Sequence, residues 1–323
     1  MAELTIRDAL RESIRERMRA DERVLVMGED VGAYGGSYGV TKGLLDEFGP
    51  ERIRDTPISE LAFVGAGVGA AIGGLRPIVE IMTINFSFLA MDQVINSASK
   101  IHYMFGGQVS VPLIIRMASG AGLSTGAQHS HSVEGWFAHI PGLKVVCPSN
   151  PADAKGLLRT AFDDGNPIIF IENTALYGLK GEVPDGDYRV PFGEARVARQ
   201  GDDVTLIGYS GSVPQVLGCA DRLAQEDIEA EVIDLRTLRP LDSETIIESV
   251  KKTNRAVVVE HAWRLGGFGA ELAAEIQEKA FDYLDAPVAR VAGVEVPMPY
   301  SFELEKAALP SESQVVEAVH ALF

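Results

Sequence analysis

Asp55-Thr-Pro-Ile-Ser-Glu60-Leu-Ala-Phe-Val-Gly-Ala-Gly-Val-Gly-Ala-Ala-Ile-Gly-Gly-Leu75 contains only one charged residue after its first position, Glu60. Pro57 and Ser59 favour the opening of a helix, and the small apolar residues after Glu60 are typical of a buried one. Burying a lone acid is costly unless something binds it. Burial and the helix dipole displace the pKa of such an acid in opposite directions, so Glu60 is a candidate proton-transfer group. The simpler interpretation is that Glu60 only favours the positive end of the helix.

The glycines of this stretch admit two interpretations. Gly65-Ala-Gly-Val-Gly-Ala70 matches the dinucleotide-binding pattern G-x-G-x-x-A, which requires a preceding strand and places its glycines in the turn. The residues before it instead continue a helix, which disfavours nucleotide binding. Gly65, Gly69 and Gly73 lie four apart on one helical face, where another backbone can approach closely. We therefore predict a helix-to-helix contact surface between subunits.

The composition narrows the class of protein. The chain has 323 residues, enough for two domains, and its 46% hydrophobic and 23% charged residues are typical of a folded soluble protein. A net charge of −17 argues against nucleic acid and anionic membranes as partners. Cys147 and Cys219 stand in apolar contexts, and no signal peptide or membrane-length apolar run is evident. We expect unpaired thiols and a cytoplasmic protein.

Strands and helices alternate along the chain, which predicts an α/β fold with parallel sheets covered on both faces. In the first half, helices are predicted over residues 5–20, Phe88–Phe105 and Pro151–Asp163, and strands over Val24–Met27, Pro77–Met82, Val111–Met117, Lys144–Cys147 and Pro167–Ile171. The stretch Leu179–Phe192 is rich in proline, glycine and charge, which indicates a linker. After it the alternation restarts, with strands predicted at Val204–Tyr209, Ala230–Leu235, Ala256–Glu260 and Val288–Val291.

Two polar loops and one strand end are further candidate sites. The loop Gly32–Gly39 is able to cradle phosphate, but it lacks the Lys-Ser/Thr of a P-loop, which favours an ordinary active-site or surface loop. His129 and His131 suggest a metal site if they lie on a strand. The glycine-rich surroundings favour a loop instead, with an active-site histidine. His261 lies at a strand end where open α/β sheets place ligands, or is merely a polar strand-end residue.

Several long motifs, in order, resemble the beta subunit of the thiamine-diphosphate-dependent 2-oxo acid dehydrogenases over essentially the whole chain. They are Gly28-Glu-Asp-Val31, Asp55-Thr-Pro-Ile-Ser-Glu60, Gly74-Leu-Arg-Pro-Ile78, Asp92-Gln-Val-Ile-Asn96, Gln128-His-Ser130, Pro141-Gly-Leu-Lys-Val-Val146, Asp153-Ala-Lys-Gly-Leu157 and Asp234-Leu-Arg-Thr-Leu-Arg-Pro-Leu241. The resemblance implies a pyrimidine-binding, doubly wound domain over residues 1–185, a linker over 186–194, and a transketolase C-terminal-like α/β domain over 195–323.

The resemblance also implies residue roles. Glu60 matches the glutamate that hydrogen-bonds a pyrimidine ring nitrogen of thiamine diphosphate and thereby activates the cofactor. Phe86 matches the aromatic residue that packs on the pyrimidine ring, and Ile58 is a further expected cofactor contact. His129 matches the histidine associated with acyl transfer to the lipoyl group. Relatives bind a monovalent cation such as K⁺, largely through backbone carbonyls. The matching positions here are Leu113, Ala161, Asp164 and Asn166.

The chain lacks the Gly-Asp-Gly…Asn motif that holds magnesium and diphosphate in this family. The resemblance therefore implies half a site, completed by an alpha subunit that holds Mg²⁺ in an α2β2 heterotetramer docked on a lipoyl-bearing acyltransferase core. Gln128 and Trp136 resemble the residues of pyruvate-specific relatives, which implies pyruvate as substrate, whereas Leu89 replaces the glutamine of some of those relatives. Acetoin and branched-chain 2-oxo acids are the alternatives within the family. A non-catalytic binding subunit and a nicotinamide-dependent dehydrogenase are the alternatives outside it.

Overall fold

The computed structural model describes residues 1–323, whose contacts divide into two units. The first contains Met1–Ser119 and Trp136–Phe192, and the second contains Gly120–Gly135 and Gly193–Phe323. The loop from Gly120 to Gly135 therefore groups with the C-terminal half of the chain. The predicted domains are continuous ranges of sequence and include this loop in the N-terminal domain, whereas its contacts group it with the second unit.

The N-terminal part of the chain is built on parallel strands. Its elements are β1 (Ala2–Thr5), α1 (Ile6–Ala20), β2 (Val24–Gly28), α2 (Leu44–Phe48), β3 (Ile53–Asp55), α3 (Glu60–Ile72), β4 (Arg76–Ile81), α4 (Ile101–Met104), β5 (Ile114–Ser119), α5 (Glu134–Ala138), β6 (Lys144–Val146), α6 (Pro151–Asp163), β7 (Ile168–Asn173) and β8 (Lys180–Val183). The parallel strands of the first unit lie in the order β6-β7-β5-β4-β2-β3. The predicted parallel sheet is confirmed.

Helices α1 and α6 pack against each other beside this sheet. Thr5 caps α1 by accepting a hydrogen bond from Asp8 N at 3.1 Å, and Asn150 caps α6 in the same way from Asp153 N at 2.9 Å. The apolar positions of α1 are fully buried, as their spacing predicts. These caps and this stripe explain why both helices begin where the sequence predicts them.

The second unit repeats the strand–helix alternation. Its elements are β9 (Arg196–Arg199), β10 (Val204–Gly208), α7 (Ser212–Leu223), β11 (Ala230–Asp234), β12 (Thr237–Arg239), α8 (Ser243–Thr253), β13 (Ala256–Trp263), α9 (Phe268–Ala280), β14 (Ala289–Gly293), α10 (Phe302–Ala308) and α11 (Glu312–His320). The sheet order is β14-β13-β10-β11-β9, parallel except for β9. Helices α7 and α11 pack together, as do α8 and α9.

Two predictions of secondary structure differ from the structure. The single helix predicted at Phe88–Phe105 is broken into a 3₁₀ segment (Ile84–Ala90), a π-helical segment (Gln93–Ala98) and α4. Ser99 causes part of this widening, because its N–H donates to Val94 O and its hydroxyl to Ile95 O. The stretch Leu179–Phe192 contains β8, which pairs antiparallel with β1. That pairing joins distant segments and leaves little local signal.

Candidate active site

Strands β2 and β3 end side by side, with Gly28 opposite Asp55 in the parallel register. Thr56 N donates to Gly28 O at 2.9 Å, which holds the start of the segment leading to α3 against the end of β2. A Cβ on Gly28 would lie 2.3 Å from the carbonyl oxygen of Glu80, so only glycine fits this close approach. Residues that directly follow both strands are thereby brought to one edge of the sheet.

The Asp55 carboxylate shapes the glycine-rich loop Gly32–Gly39. Its Oδ1 accepts a hydrogen bond from Gly32 N at 2.6 Å, and its Oδ2 accepts one from Ala33 N at 3.3 Å. The backbone N–H groups that open this loop are therefore already bound by a carboxylate of the same chain. This arrangement favours the interpretation as an ordinary loop over that of a phosphate cradle.

Glu60 is the first residue of α3 and is 3% exposed, whereas Ile58, two residues earlier, is 85% exposed. Glu29 directly follows β2, is 5% exposed, and its side chain hydrogen-bonds that of Glu60. Burial, and then the charge of Glu60 and this shared hydrogen bond, raise the pKa of Glu29 to about 7. We call Glu29 and Glu60 the acid pair.

The acid pair is able to hold a single proton near neutral pH. When Glu29 carries that proton, its O–H donates to Glu60, and two adjacent carboxylates avoid being ionised together. Oε1 of Glu29 is buried and has no hydrogen-bond partner. A buried carboxyl with an unpartnered oxygen is expensive, and perturbed acids of this kind are concentrated at functional sites.

Helix α3 has one face buried and one exposed. Phe63, Val64 and Gly67 are buried, and a Cβ on Gly67 would lie 2.4 Å from Val79 Cγ2. Gly67 is thus the glycine that the packing of this unit requires. The predicted stripe is mixed, because a Cβ on Gly69 would meet nothing within 4 Å, whereas a Cβ on Gly65 would lie 3.1 Å from Oε1 of Gln93 in the same chain. The Gly65-Ala-Gly-Val-Gly-Ala70 segment lies wholly inside α3, without the strand and turn of a dinucleotide site.

Phe86 lies in the 3₁₀ segment Ile84–Ala90, which packs against α3. Its N–H donates to Thr83 O at 3.0 Å, and its side chain is half-buried. Two residues later, Phe88 stacks on Trp136 with ring centroids 5.2 Å apart. Leu89 is 64% exposed. The structure therefore places the Phe86 segment beside the helix that carries Glu60.

His129 lies in the loop Gly120–Gly135, which we call the histidine loop. Its side chain is exposed, while its backbone is held on both sides. His129 N donates to Gly126 O at 3.2 Å, and Thr125 Oγ1 donates to His129 O at 3.1 Å. His129 is therefore an exposed imidazole on a closed turn.

His131 is in a different environment from His129. Its ring is half-buried and edge-on to Trp263, with centroids 5.2 Å apart, and burial lowers its pKa. The chain contains no group of three or more His, Cys, Asp or Glu side chains arranged to hold a metal ion. One exposed and one packed imidazole favour the loop interpretation of this segment.

His261, the third candidate histidine, follows the parallel part of β13. Burial lowers its pKa to about 4, and its Nε2 lies 3.3 Å from Gln215 Oε1. The contact with a side chain of the neighbouring helix accounts for Nε2 of this neutral ring, while Nδ1 is buried without a hydrogen-bond partner.

The four cation-matching positions lie near the C-terminal end of α6 and the start of β5. Asp164 Oδ1 accepts hydrogen bonds from Asn166 N at 3.2 Å and Asn166 Nδ2 at 2.7 Å, and Asp164 Oδ2 is paired with Lys144. The carbonyl of Leu113 accepts from Ile168 N at 2.8 Å. Ala161 lies in the last turn of α6, where helix carbonyls lack intrahelical partners and the dipole is negative.

Sequence reasoning missed the partner of Glu60. Glu29 stands in the Gly28-Glu-Asp-Val31 motif, but it was assigned no role. The available signal was its position directly after a buried strand, because residues at the carboxyl ends of neighbouring parallel strands meet at one edge. A second acid at such an end marks a candidate partner for a lone buried acid.

Comparison with known proteins agrees with this architecture. Residues 2–180 match the model described as transketolase, pyrimidine binding domain, and residues 193–315 match transketolase, C-terminal domain. A split-gene transketolase, solved as an inactive beta4 tetramer, has a TM-score of 0.81 at 22% identity, covering 99% of this chain and 98% of that one. The predicted two-domain α/β fold is confirmed. None of the helices is both long and apolar enough to span a bilayer.

Closer relatives share about half of their residues with this chain. The "Pyruvate dehydrogenase E1 component subunit beta" of Rickettsia felis is 51% identical over 317 residues, which are 98% of this chain and 97% of the relative. The protein of the same name from Rhizobium meliloti is 52% identical over 100% of this chain and 70% of its own length. The mitochondrial beta-1 subunit of Arabidopsis thaliana is 50% identical, over 98% and 88% respectively. With this identity along nearly its whole length, the chain belongs to the family of pyruvate dehydrogenase E1 component beta subunits.

Proposed function

We propose that this chain is the beta subunit of a decarboxylating E1 component that acts on pyruvate with thiamine diphosphate and transfers the acetyl group to lipoyl. The observation that carries the proposal is the acid pair, in which Glu60 opens a helix of the pyrimidine-binding domain and Glu29 contacts it with a pKa of about 7. Membership of the family implies thiamine diphosphate as the cofactor.

The residues present fit the pyrimidine half of that cofactor. Thiamine diphosphate, when bound, supplies a nucleophilic carbon that stabilises the charge left by decarboxylation. Glu60 would hold a proton at a pyrimidine ring nitrogen, the half-buried ring of Phe86 would pack on the pyrimidine, and the exposed Ile58 would contact the cofactor. The buried, unpartnered Oε1 of Glu29 supports a site that a ligand completes.

Glu29 would share a proton with Glu60 and exchange it near neutral pH. Because its pKa is about 7, it exchanges a proton near neutral pH, and a general acid or base is most effective when its pKa lies near the operating pH. A proton shared across the pair stays close to the ring nitrogen without leaving an isolated buried charge. Burial of both carboxyls keeps bulk water from competing for that proton.

His129 would assist transfer to the lipoyl group. Its exposed imidazole and its restrained backbone fit a residue that meets a second, tethered substrate from outside the chain. A loop position leaves access for that substrate, whereas the acid pair is closed to it.

The diphosphate half of the site would belong to an alpha subunit. This chain lacks the family's Gly-Asp-Gly…Asn motif, so the alpha subunit would hold Mg²⁺ and diphosphate in an α2β2 heterotetramer. The exposed face of α3, open at Gly69 and carrying Leu61 at 49% exposure, supports a subunit contact beside Glu60. The assembled enzyme would dock on a lipoyl-bearing acyltransferase core, in the cytoplasm.

A monovalent cation such as K⁺ would bind near Leu113, Ala161, Asp164 and Asn166. Support comes from the carbonyls of the last turn of α6, which lack intrahelical partners. Such oxygen donors suit hard cations. The Lys144 ammonium, paired with Asp164, opposes a second cation at the Asp164 side chain, so the cation would bind through backbone carbonyls.

Co-expression with the candidate alpha-subunit gene tests the proposal. Purified complex would be assayed with thiamine diphosphate, Mg²⁺ and an artificial electron acceptor. Carbon dioxide release would be measured for pyruvate and branched-chain 2-oxo acids, and reduction of the acceptor for acetoin, which has no carboxyl group to lose. Cofactor-dependent turnover of pyruvate that requires both chains is expected. Preference for acetoin or a branched-chain acid would change the substrate, and full activity from this chain alone would contradict the half-site. A complex that binds the alpha subunit but stays active when Glu60 is changed would indicate a binding subunit only.

A further inference from the structure

The histidine loop rests on residues close to the C-terminus of the chain. Although it follows β5 in sequence, its contacts group it with the second unit. The residues beneath it belong to the segment Met298–Leu309, which contains α10 and which we call the support segment. Nothing in the proposed function gives this segment a role.

Glu305 makes the main polar contact between the support segment and the histidine loop. Its side chain is 1% exposed, and its Oε2 accepts hydrogen bonds from Ser124 N at 2.9 Å and from Ser124 Oγ at 3.4 Å. Ser124 has a φ of +53°, in the left-handed region that side-chain-bearing residues seldom occupy. The carboxylate therefore stabilises a backbone conformation that the loop would not favour alone.

Two further contacts hold the same loop on the same segment. Gly126 has a φ of +79°, and a Cβ there would lie 2.6 Å from Cδ2 of Tyr300. Ala121, at the start of the loop, packs in a small apolar cluster with Met298 and Ala308. The loop is thus held at three successive points by side chains of one segment.

Two of these three contacts are connected to the backbone of His129 by hydrogen bonds. Ser124, which Glu305 binds, is followed by Thr125, whose hydroxyl donates to His129 O at 3.1 Å. Gly126, which Tyr300 covers, accepts from His129 N at 3.2 Å through its carbonyl. A shift of Ser124 or Gly126 would therefore move the backbone that carries the imidazole.

Stability alone does not explain a carboxyl group at position 305. Its Oε1 is buried without a hydrogen-bond partner, and an apolar side chain in such a place is often as stable or more so. What an apolar side chain would lose is the acceptor for Ser124 N–H. The contribution of Glu305 is accordingly to the conformation of the loop.

We propose that Glu305 is a positioning residue, which holds the Ser124–His129 turn so that the imidazole of His129 is presented in one orientation for transfer to the lipoyl group. The functional part of this inference rests on the role proposed for His129, and the structural part does not. Displacements of about 1 Å in a catalytic group cost up to roughly a hundredfold in rate.

The test compares four variants in the complex with the alpha subunit. Glu305→Met removes the acceptor and keeps the volume, and Glu305→Gln restores an acceptor oxygen. Glu303→Met makes the same change at an exposed position of α10 and is the matched control. Gly126→Ala disturbs the second anchor independently, in case Glu305→Met does not fold.

Two rates and one structural measurement are made on each variant. The rates are acetylation of a free lipoyl domain and pyruvate oxidation with an artificial electron acceptor in place of lipoyl. The structural measurement is amide hydrogen exchange of the peptide that covers residues 120–131. We expect Glu305→Met and Gly126→Ala to speed this exchange and to lower acetylation about tenfold or more, with oxidation changed by less than about twofold. Glu305→Gln should recover most of the acetylation rate, and Glu303→Met should match the wild type.

The outcomes separate the two proposals. Faster exchange with unchanged acetylation would overturn the proposal that Glu305 positions His129 for transfer, and His129→Ala measured beside it would show separately whether His129 acts in that step. Unchanged exchange in Glu305→Met would overturn the positioning role, whatever the acetylation rate. An equal fall of both rates, not recovered in Glu305→Gln, would also overturn it, because that pattern indicates general loss of structure.

Discussion

The acid pair and the histidine loop are both candidate sites, but their surroundings differ. The acid pair joins the residue after β2 to the first residue of α3, is at most 5% exposed, and is held by strand register and by the start of α3. The histidine loop is exposed at His129 and is held by side chains of a distant segment. A buried proton site requires a rigid frame that excludes water, whereas a residue that meets a tethered substrate requires access. Each environment suits the chemistry proposed for it.

The largest expected effect concerns Glu60, the centre of the rigid site. Glu60→Gln removes the group that holds the proton, so cofactor-dependent decarboxylation should fall by roughly a thousandfold. Association with the alpha subunit, measured by size-exclusion chromatography, should be unchanged, because the glutamine amide has nearly the same volume as the glutamate carboxylate. Glu51→Gln, at an exposed acid near β3, is the matched control. Retention of most activity in Glu60→Gln would disprove the assigned role.

A second change separates the histidine loop from the acid pair. His129→Ala should lower acetylation of a lipoyl domain by about a hundredfold, because the imidazole is lost from the transfer step. Oxidation of pyruvate with an artificial acceptor should stay close to the wild-type rate, since the acid pair is intact. His139→Ala, at another exposed histidine, serves as control. A parallel loss of both rates would mean that His129 acts before the transfer step.

The pKa of Glu29 predicts a pH dependence of stability. Because folding raises this pKa to about 7, its contribution is fully present below the ordinary glutamate pKa and is lost as pH rises through about 7. Glu29→Gln stays neutral and keeps a donor for Glu60. Between about pH 5 and about pH 8, the variant should therefore gain roughly 2 kcal/mol in free energy of unfolding relative to wild type. Urea unfolding at both pH values measures it, and a constant difference would refute the raised pKa.

The smallest effect concerns the helix that carries Glu60. Gly69→Ala adds a methyl group in open space and should raise the free energy of unfolding of the chain by about 0.5–1 kcal/mol. It should also weaken association with the alpha subunit if this face is the contact. Gly67→Ala should destabilise the chain by about 1–3 kcal/mol, because its Cβ would overlap Val79. Unchanged association in Gly69→Ala would show that the stripe lies outside the interface.

Elements with strong local patterns were predicted well from the sequence. Helix α1 follows its apolar spacing, and α6 covers the predicted range Pro151–Asp163. Prediction failed where distant segments pair, or where a side-chain hydrogen bond changes the pitch of a helix. The β1–β8 pairing joins Ala2 to Val183, and the π-helical turn before Ser99 depends on side-chain hydrogen bonds within an otherwise helical pattern.

The sequence by itself determined that Glu60 is a lone acid at the start of a small-residue helix, and that strands and helices alternate through two domains. Both are local properties, because capping residues and apolar periodicity act over a few neighbouring residues. Only the tertiary structure decided that Glu29 contacts Glu60 and that Glu305 holds Ser124, 181 residues away. Those contacts depend on strand register and on the return of the C-terminal segment, which no local pattern records.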